Sequence, residues 1–368
     1  MPDVLSPDLP TDAQVRDLLT VTLTEAVDAV ALHLQHSGPE VDVLIEATRR
    51  AVSGGKRLRA LLCVAGWEVA GTADTLEPTI VKAAAALELF QAAALVHDDL
   101  MDASDTRRGD LSAHRWFETQ HPAGLATDRV RVTEFGASSA VLLGDLLLTL
   151  SSTTLHAAIE HLPNQASAAG NLLYSQMSAE VAWGQYLDLY AAHAPWDDAQ
   201  VLDRAFRVIQ AKTARYSVEL PLVLGAQLAQ ATPATLTWLA AIGQHVGTAF
   251  QLRDDVLGVF GDPAVTGKPA GDDLREGKRT VLVAFAAQDA SASDRTYLVD
   301  NLGRRDLTAE QIDRMSGILR TTGALARVEQ LIADESAQAF ALLEAPPTAV
   351  AHTTRLRGLM TAAIQRSA

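Results

Sequence analysis

Apolar residues recur at intervals of three and four along almost the whole chain. In the first such segment they include Val15, Leu19, Leu23 and Val27, a spacing that places the side chains on one face of an α-helix. Runs that alternate between apolar and polar residues, as half-buried strands do, are scarce. The pattern therefore predicts an all-α protein.

The same periodicity predicts twelve helices separated by short turns. They are expected near 12–36, 39–52, 57–71, 76–104, 128–160, 165–192, 198–230, 234–260, 279–302, 308–322, 323–345 and 347–366. The breaks contain glycine, proline and asparagine, and none is long enough to separate domains. No fixed-period repeat indicates a helical solenoid. We therefore expect one large helical domain over residues 11–368, preceded by a disordered stub at 1–10.

Composition narrows the classes of function. The chain has 368 residues, of which 48% are apolar, and a net charge of −15. Proteins that bind nucleic acids present a basic face to the phosphates, so a nucleic-acid partner is not expected. An anionic small-molecule substrate would need local positive charge, from a metal ion or from a cluster of Lys and Arg.

The location is predicted from the cysteine content and from the N-terminus. Cys63 is the only cysteine and lies in an apolar stretch, so no intrachain disulfide can form and a reducing, cytoplasmic compartment fits. The N-terminal residues contain prolines and acids where a signal peptide has a basic start and an apolar core. Residues 220–252 lack Asp, Glu, Lys and Arg, but Pro233 and several polar side chains predict two buried helices there, not a transmembrane segment.

Two acidic clusters lie at the ends of apolar helices. Asp98 and Asp102 are four residues apart and project from one helix face, with Asp99 beside them. Asp254 and Asp255 follow a second apolar helix, with Gln251 on the same face. Like charges at this spacing repel unless a cation offsets them, and clustered carboxylates are the ligands that Mg²⁺ prefers. A solvated acidic face is the simpler interpretation of either cluster alone, but the pair favours one shared metal site.

Three basic segments complete the pattern. The first is Gly54–Arg59, whose glycines and following helix N-terminus would add backbone donors to an anion site. The second comprises Arg107, Arg108 and Lys212, and the third begins at Lys268 and extends through Lys278 and Arg279. For Arg57 or Arg279 alone, a solvated surface position is the expectation.

The ordered motifs over residues 50–285 resemble those of the trans-isoprenyl diphosphate synthases, which include geranylgeranyl and farnesyl diphosphate synthases. They are GGKRLR, DDLMD with TRRG, GQYLD, KTA, FQLRDDVLG and GKPAGDDLREGK. The resemblance implies a helical bundle of the isoprenoid synthase type around a central apolar cavity, and a homodimer. It implies an Mg²⁺-dependent prenyltransferase that joins isopentenyl diphosphate to an allylic diphosphate (dimethylallyl, geranyl or farnesyl).

The resemblance also assigns roles to individual residues. Metal ligands would be Asp98, Asp99, Asp102, Asp254 and Asp255, and the catalytic set would be Asp98, Asp99, Asp102, Lys212 and Asp254. Allylic diphosphate would be bound by Arg107, Lys212, Lys268 and Lys278, and isopentenyl diphosphate by Lys56, Arg59, Gln91 and Arg108. Supporting positions would be Gln185, Asp188, Thr213, Gln251 and Asp273, whereas His97 is either a hydrogen-bonding neighbour or a packed histidine.

One position departs from the pattern of the family. The second aspartate motif often ends in a third aspartate, where this chain has Gly258. An outer carboxylate can be replaced by water. We therefore expect restoration of the aspartate to change the rate only modestly.

Two alternative functions use similar residues. A class I terpene cyclase ionises a single substrate and has no need of a second diphosphate site, so GGKRLR and the two arginines of TRRG favour condensation. A catalytically silent partner subunit would not need intact metal ligands, and turnover by the purified protein distinguishes it from an enzyme.

Product length in this family depends on what blocks the apolar tunnel beneath the first aspartate motif. Ala93 and Ala94 lie about one helical turn, roughly 5 to 7 Å, deeper than Asp98. Farnesyl-stopping relatives commonly carry aromatic residues there, so geranylgeranyl diphosphate is the expected product. Phe90 and Leu142 are candidates for the tunnel floor, although alanines in a buried helix more often serve close packing.

Overall fold

The structure of the protein is a computed structural model that describes residues 9–71, 75–121, 128–196, 198–262, 270–350 and 352–365. The N-terminal half contains α1 (Asp12–Leu34), α2 (Val41–Val52), α3 (Leu58–Ala70), α4 (Pro78–Met101), β1 (Thr106–Arg107), β2 (Asp110–Leu111), α5 (Ala113–Thr119) and α6 (Arg129–Ile159). The two short strands form an antiparallel hairpin. The predicted helices of this half are present, and the sequence pattern missed only the hairpin and α5.

The C-terminal half is also helical. It contains α7 (Asn164–His193), α8 (Asp198–Val208), a π-helix (Ile209–Glu219), α9 (Leu220–Leu228), α10 (Pro233–Phe260), α11 (Asp272–Glu276), α12 (Val281–Asp289), α13 (Ala292–Asn301), α14 (Ala309–Thr321), α15 (Ala324–Leu343) and α16 (Thr354–Ile364). The all-α prediction is confirmed. The apolar run 220–252 forms α9, a turn and the first part of α10, as expected.

One predicted helix, 279–302, is interrupted. The backbone leaves the helical region at Ala290, and the hydroxyl of Ser291 accepts a hydrogen bond from the amide of Asp294 at the start of α13. Serine is a favoured N-cap because its side chain satisfies an otherwise unpaired amide of the first turn. The polar sequence of residues 291–294 was therefore a helix start that the periodicity did not reveal.

The chain divides into two compact units. The first contains the chain up to Leu172 together with Leu224–Ala231, and the second contains most of the remainder. The prediction that residues 11–368 form one synthase domain stays a prediction.

Helix α4 is the centre of the first unit and packs against α1, α3 and α6. Its alanines, such as Ala83 and Ala86, are fully buried. Short side chains let helices approach closely, and the hydroxyl of Ser151 on α6 donates a 2.6 Å hydrogen bond to the carbonyl of Ala86. This packing holds the C-terminal end of α4 in a fixed position.

Among the described residues, α4 and α6 have the length and apolar composition to cross a membrane. In the most apolar windows of these helices, 72% of the α4 residues and 39% of the α6 residues are buried in the protein. A core helix passes the same test, so the two helices are weak evidence for a membrane span.

In the second unit, α10 packs against the π-helix on one side and α15 on another. Arg253 forms a two-pronged ion pair with Glu329 of α15 at 2.6 and 2.7 Å, and the indole of Trp238 donates to the carbonyl of Leu342. These contacts fix α10, which carries the second acidic cluster at its C-terminal end.

Candidate active site

The first acidic cluster lies where α4 ends. Ala103 has a left-handed backbone conformation (φ 50°), and the amide of Ser104 donates to the carbonyl of Asp99. This arrangement is the helix-ending turn that glycine usually provides. Asp98, Asp99 and Asp102 are therefore held in the last turn of a buried helix, with Asp99 only 3% exposed.

The β1–β2 hairpin folds Arg107 back onto this cluster. Its two turn residues, Arg108 and Gly109, both have positive φ, as the tight two-residue turn requires. The guanidinium of Arg107 pairs with both carboxylate oxygens of Asp99, with Nε 2.9 and 3.1 Å away, and lies 3.8 Å from Asp98. The sequence TRRG is thus the turn that joins a cation to the acidic motif.

A basic loop lies beside the same hairpin. The guanidinium of Arg108 donates to the carbonyl of Ser53 at 2.9 Å and covers Gly55, where a Cβ would come within 2.9 Å of it. Gly54 and Gly55 both have positive φ, so this loop requires glycine for its backbone as well as for the approach of Arg108. The side chain of Lys56 is exposed, and Arg59 follows in the first turn of α3.

Arg57 corrects the expectation of a solvated side chain. It is buried, pairs with Glu88 of α4 at 3.4 Å and donates to the carbonyl of Val52. Glu88 also accepts from the amide of Ala60. The sequence signal was Glu88, a carboxylate among the apolar residues in the middle of α4, because a buried charge requires a partner. Arg57 thus anchors the basic loop to α4.

Arg279 was also expected to be solvated, and that prediction is wrong. Its guanidinium donates to the carbonyls of Ala192 and Pro195 and lies 4.9 Å from the ring of Trp196. The positive charge is placed at the C-terminal end of α7, where it interacts favourably with the helix dipole. Arg279 therefore has a structural contact within the second unit.

The second acidic cluster lies near the end of α10. Asp255 is 5% exposed and accepts a 2.7 Å hydrogen bond from the amide of Gln251. Burial, followed by the nearby charge of Asp273, raises the pKa of Asp255 above its ordinary value. The nearby charge of Lys278 opposes this rise, and a further cation would favour the ionised carboxylate.

The short helix α11 brings further charged groups to this cluster. It lies between Gly271 and Gly277, which both have left-handed conformations. The ammonium of Lys278 contacts Asp273 at 3.2 Å and Glu276 at 2.5 Å. A Cβ at position 258 would collide with the carboxylate of Asp273. The space left by the missing third aspartate is thus occupied by a carboxylate from α11.

Lys212 and Thr213 lie in the π-helix of the second unit. The ammonium of Lys212 contacts Asp188 of α7 at 2.7 Å. The two helices approach closely because Gly184 has no side chain, since a Cβ there would come within 2.5 Å of the amide nitrogen of Lys212. The motifs GQYLD and KTA are therefore in direct contact. Lys268 lies outside the described residues.

The predicted tunnel residues lie along α4, apart from Leu142. Phe90 and Ala93 are buried and Ala94 is partly exposed, whereas Gln91 is partly exposed on another part of the helix. Leu142 is 63% exposed, so it does not close a cavity within the first unit. His97 has both expected properties, because its Nε2 lies 3.2 Å from the carbonyl of Val141 and its ring packs on Gly144.

The donor sets suit a hard divalent cation. Both clusters are composed of carboxylates. In the second cluster, the charges of Asp254 and Asp273 lie close enough to Asp255 to raise its pKa. Such oxygens are what Mg²⁺ prefers. Across the part of the chain that the structure describes, no group of three or more His, Cys, Asp or Glu has a geometry ready to hold a metal ion. The metal-ligand roles of the five aspartates stay a prediction.

Comparison with known proteins identifies the class. The sequence profile of the polyprenyl synthetase family matches residues 41–319, so the chain belongs to that family. This membership confirms the resemblance drawn from the motifs, the isoprenoid synthase fold and the assignment as a trans-prenyltransferase.

Individual relatives are similar over most of the chain. A geranylgeranyl pyrophosphate synthase from Corynebacterium glutamicum, crystallised with isoprenyl diphosphate and magnesium, is 36% identical with a TM-score of 0.88; the match covers 96% of this chain and 99% of that one. A geranylgeranyl diphosphate synthase from Mycobacterium tuberculosis is 32% identical over 78% of this chain and 74% of its own length. A geranylfarnesyl diphosphate synthase from Aeropyrum pernix is 30% identical over 84% of this chain and 89% of its own length.

Proposed function

We propose that this protein condenses isopentenyl diphosphate with an allylic diphosphate in an Mg²⁺-dependent reaction, and that its product is geranylgeranyl diphosphate. The observation that supports this most directly is the arrangement around Arg107 and Arg108. One hairpin turn places Arg107 on the first acidic cluster and Arg108 on the Gly54–Gly55 loop. Carboxylates that could hold a metal thus lie next to cations that could bind a diphosphate, within one unit. An enzyme with two diphosphate substrates requires this second, cationic site, whereas a cyclase with a single substrate does not.

The residues divide between the two substrates. In the proposal, Lys56, Arg59, Gln91 and Arg108 bind isopentenyl diphosphate, and Arg107, Lys212, Lys268 and Lys278 bind the allylic diphosphate. Asp98, Asp99, Asp102, Asp254 and Asp255 would hold Mg²⁺, which would supply positive charge to the departing diphosphate. Gln185, Asp188, Thr213, Gln251 and Asp273 would orient these groups.

The chemistry follows from charge. Cleavage of the allylic C–O bond leaves a carbocation and a diphosphate with increased negative charge, which Lys212 and Arg107 stabilise more than they stabilise the bound substrate. The double bond of isopentenyl diphosphate attacks the carbocation. Loss of a proton completes the new double bond, and the released diphosphate accepts that proton.

The product assignment rests on α4. Ala93 and Ala94 have small side chains and lie one turn below Asp98, so a growing prenyl chain could pass them. Phe90, one further turn along the helix, would block the end of the tunnel. The similar proteins are named for products that range from farnesyl to nonaprenyl diphosphate, so they support a prenyl diphosphate product and the proposed length depends on α4.

We further propose that the enzyme is a cytoplasmic homodimer without a transmembrane segment. Helix α7 carries three aromatic side chains on one face, Trp183, Tyr186 and Tyr190, which are 53%, 58% and 49% exposed. The ring centroids of Trp183 and Tyr186 lie 5.9 Å apart, and those of Tyr186 and Tyr190 lie 6.4 Å apart. An exposed aromatic stripe of this kind fits a second copy of the chain.

Purified protein, Mg²⁺ and labelled isopentenyl diphosphate test the reaction when they are incubated with dimethylallyl, geranyl or farnesyl diphosphate. Chromatography of the dephosphorylated products should show labelled geranylgeraniol as the longest main product, and EDTA should abolish it. Conversion of an allylic diphosphate without incorporation of label would indicate a cyclase. A protein that is folded and inactive with every starter would indicate a silent subunit.

A further inference from the structure

The helix that carries Lys212 and Thr213 is π-helical over eleven residues, Ile209–Glu219. Most π-helical segments are single turns inside α-helices, and they are frequent at functional sites. Because α8 and α9 flank this one directly, the chain changes from α to π geometry and back without a break. A segment this long requires neighbours that favour it over a regular α-helix.

On the side of α10, these neighbours are two glycines and two hydrogen bonds. A Cβ at Gly247 would come within 2.5 Å of the carbonyl oxygen of Ala214, and a Cβ at Gly243 would collide with the Cα of Glu219, so the backbones of α10 and the π-helix touch. The amide of Gln210 donates to the hydroxyl of Thr248 at 2.9 Å, and Glu219 is hydrogen-bonded to the side chain of Gln244. These contacts hold both ends of the segment against α10.

On the side of α7, the neighbours are ionic. The pair Lys212–Asp188 lies at 2.7 Å, and the guanidinium of Arg215 contacts Glu180 at 2.6 Å. Arg215 is three residues after Lys212, nearly one turn farther along the helix. The two ion pairs are therefore neighbouring connections between the same two helices.

Arg215 has a second acidic neighbour. Its Nε lies 3.3 Å from the carboxylate of Glu219, the last residue of the π-helix, which is 6% exposed. Burial raises the pKa of Glu219, and the charge of Arg215 opposes that rise. Without Arg215, Glu180 and Glu219 would lose their shared cation, and a buried carboxylate without its partner is strongly unfavourable. Arg215 therefore joins the end of the π-helix to α7.

We propose that Arg215 is a positioning residue, which through Glu180 and Glu219 holds the π-helical segment against α7 so that Lys212 keeps its place beside Asp188 and faces the allylic diphosphate. The inference rests on the proposed role of Lys212. Arg215 itself touches no substrate in this account. Its effect on catalysis passes through the position of the Lys212 ammonium.

A double-mutant cycle tests this directly. The variants are Arg215→Met, Lys212→Ala and the double variant, with the Michaelis constants for both substrates, kcat and Tm measured for each. Arg207→Met is the matched control, because Arg207 forms an exposed ion pair with Asp203 at 3.2 Å on α8, outside the π-helix. We expect Arg215→Met to raise KM for the allylic diphosphate about tenfold and to change KM for isopentenyl diphosphate less than about twofold.

In the Lys212→Ala background, Arg215→Met should raise KM for the allylic diphosphate by less than about twofold, because the lysine that Arg215 positions is absent. Arg215→Lys, which retains a charge, should recover part of the loss, and Arg207→Met should behave like the wild type. The proposal would be overturned if Arg215→Met raised KM for the allylic diphosphate by the same factor with Lys212 present and with Lys212 replaced. It would also be overturned if Arg215→Met raised the Michaelis constants for both substrates equally. If Lys212→Ala alone leaves KM for the allylic diphosphate unchanged, the proposed role of Lys212 is wrong and the inference falls with it.

If Arg215→Met does not fold, Glu180→Gln provides a second test, because it removes one partner of Arg215 and keeps the Arg215–Glu219 contact. A double-mutant cycle of Glu180→Gln with Lys212→Ala should show the same non-additive effect on KM for the allylic diphosphate. Additive effects of Glu180→Gln would overturn the proposal.

Discussion

The carboxylate of Asp273 lies in the space that a side chain at Gly258 would occupy. Gly258 is one helical turn beyond Asp254 and Asp255 on α10, whereas Asp273 belongs to α11. The second acidic cluster thus has a third carboxylate, supplied by a different helix. This contact revises the expectation that restoring the aspartate changes the rate only modestly, whereas the replacement of that carboxylate by water at a metal ion stays a prediction.

The first prediction follows from this contact. Gly258→Asp should displace Asp273, weaken its contact with Lys278 and reduce activity about tenfold or more, with a loss of stability of about 1–3 kcal/mol from overpacking. Restoring the missing aspartate would therefore do harm. Thermal unfolding and initial rates measure the two effects.

The matched variant exchanges the two residues. Gly258→Asp combined with Asp273→Gly removes the collision and keeps one carboxylate in the same space, so it should be more active and more stable than Gly258→Asp alone. If Gly258→Asp alone is as stable and active as the wild type, the carboxylate of Asp273 does not occupy this space in solution.

The second prediction separates the two diphosphate sites. Arg59→Ala should raise KM for isopentenyl diphosphate about tenfold, and Lys212→Ala should do the same for the allylic diphosphate, because each removes a cation that is proposed to bind one substrate. Steady-state kinetics with each substrate varied in turn measure both constants. Equal effects of Arg59→Ala on the two constants would show that the assigned sites are not distinct.

The third prediction concerns pH and Mg²⁺. The pKa of Asp255 is raised by burial and by Asp273, so the folded protein retains this proton at pH values where the unfolded chain has lost it. The stabilising contribution is complete below the ordinary aspartate pKa and is lost as the pH rises through the raised value. Mg²⁺ would favour the ionised form, so its stabilising effect should grow over the same range.

Thermal unfolding at several pH values between about 4 and 8, with EDTA or with Mg²⁺, measures this effect. Asp255→Asn is the control, because it removes the titrating group and should reduce the pH dependence. An increase in Tm on adding Mg²⁺ that is the same at every pH would contradict the linkage.

The fourth prediction concerns product length. Ala94→Phe should shorten the main product, because an aromatic ring one turn below Asp98 would block the proposed tunnel. Chromatography of the products and the unfolding temperature distinguish this from simple overpacking, which would lower stability by about 1–3 kcal/mol and leave the products unchanged. A folded Ala94→Phe enzyme with the wild-type products would remove Ala94 from the tunnel wall.

Much of the fold followed from the sequence, because apolar periodicity reports directly on helices that bury one face. The bounds of α4, α6 and α10 differ from the predicted bounds by only a few residues. The interruption between α12 and α13 depends on one hydrogen bond from the amide of Asp294 to Ser291, which periodicity does not show.

The contacts of the site were less predictable, because they join residues that are distant in sequence. Nothing near Arg57 in the chain indicates its pairing with Glu88, and nothing near Gly258 indicates Asp273. The π-helical geometry of residues 209–219 depends on neighbours in α7 and α10. Motif order identified the residue types, and tertiary packing determined their partners.

The central claim is that two acidic clusters, distant in sequence, serve one ionisation step. The most direct measurement is the rate of condensation by purified Asp98→Ala and Asp254→Ala at saturating substrates and Mg²⁺, with circular dichroism as the check on folding. The account predicts that each variant keeps its helical content and loses about 10³-fold or more in kcat, because each lacks a carboxylate that is proposed to bind the metal. A well-folded Asp98→Ala or Asp254→Ala enzyme with a near-normal rate would contradict it.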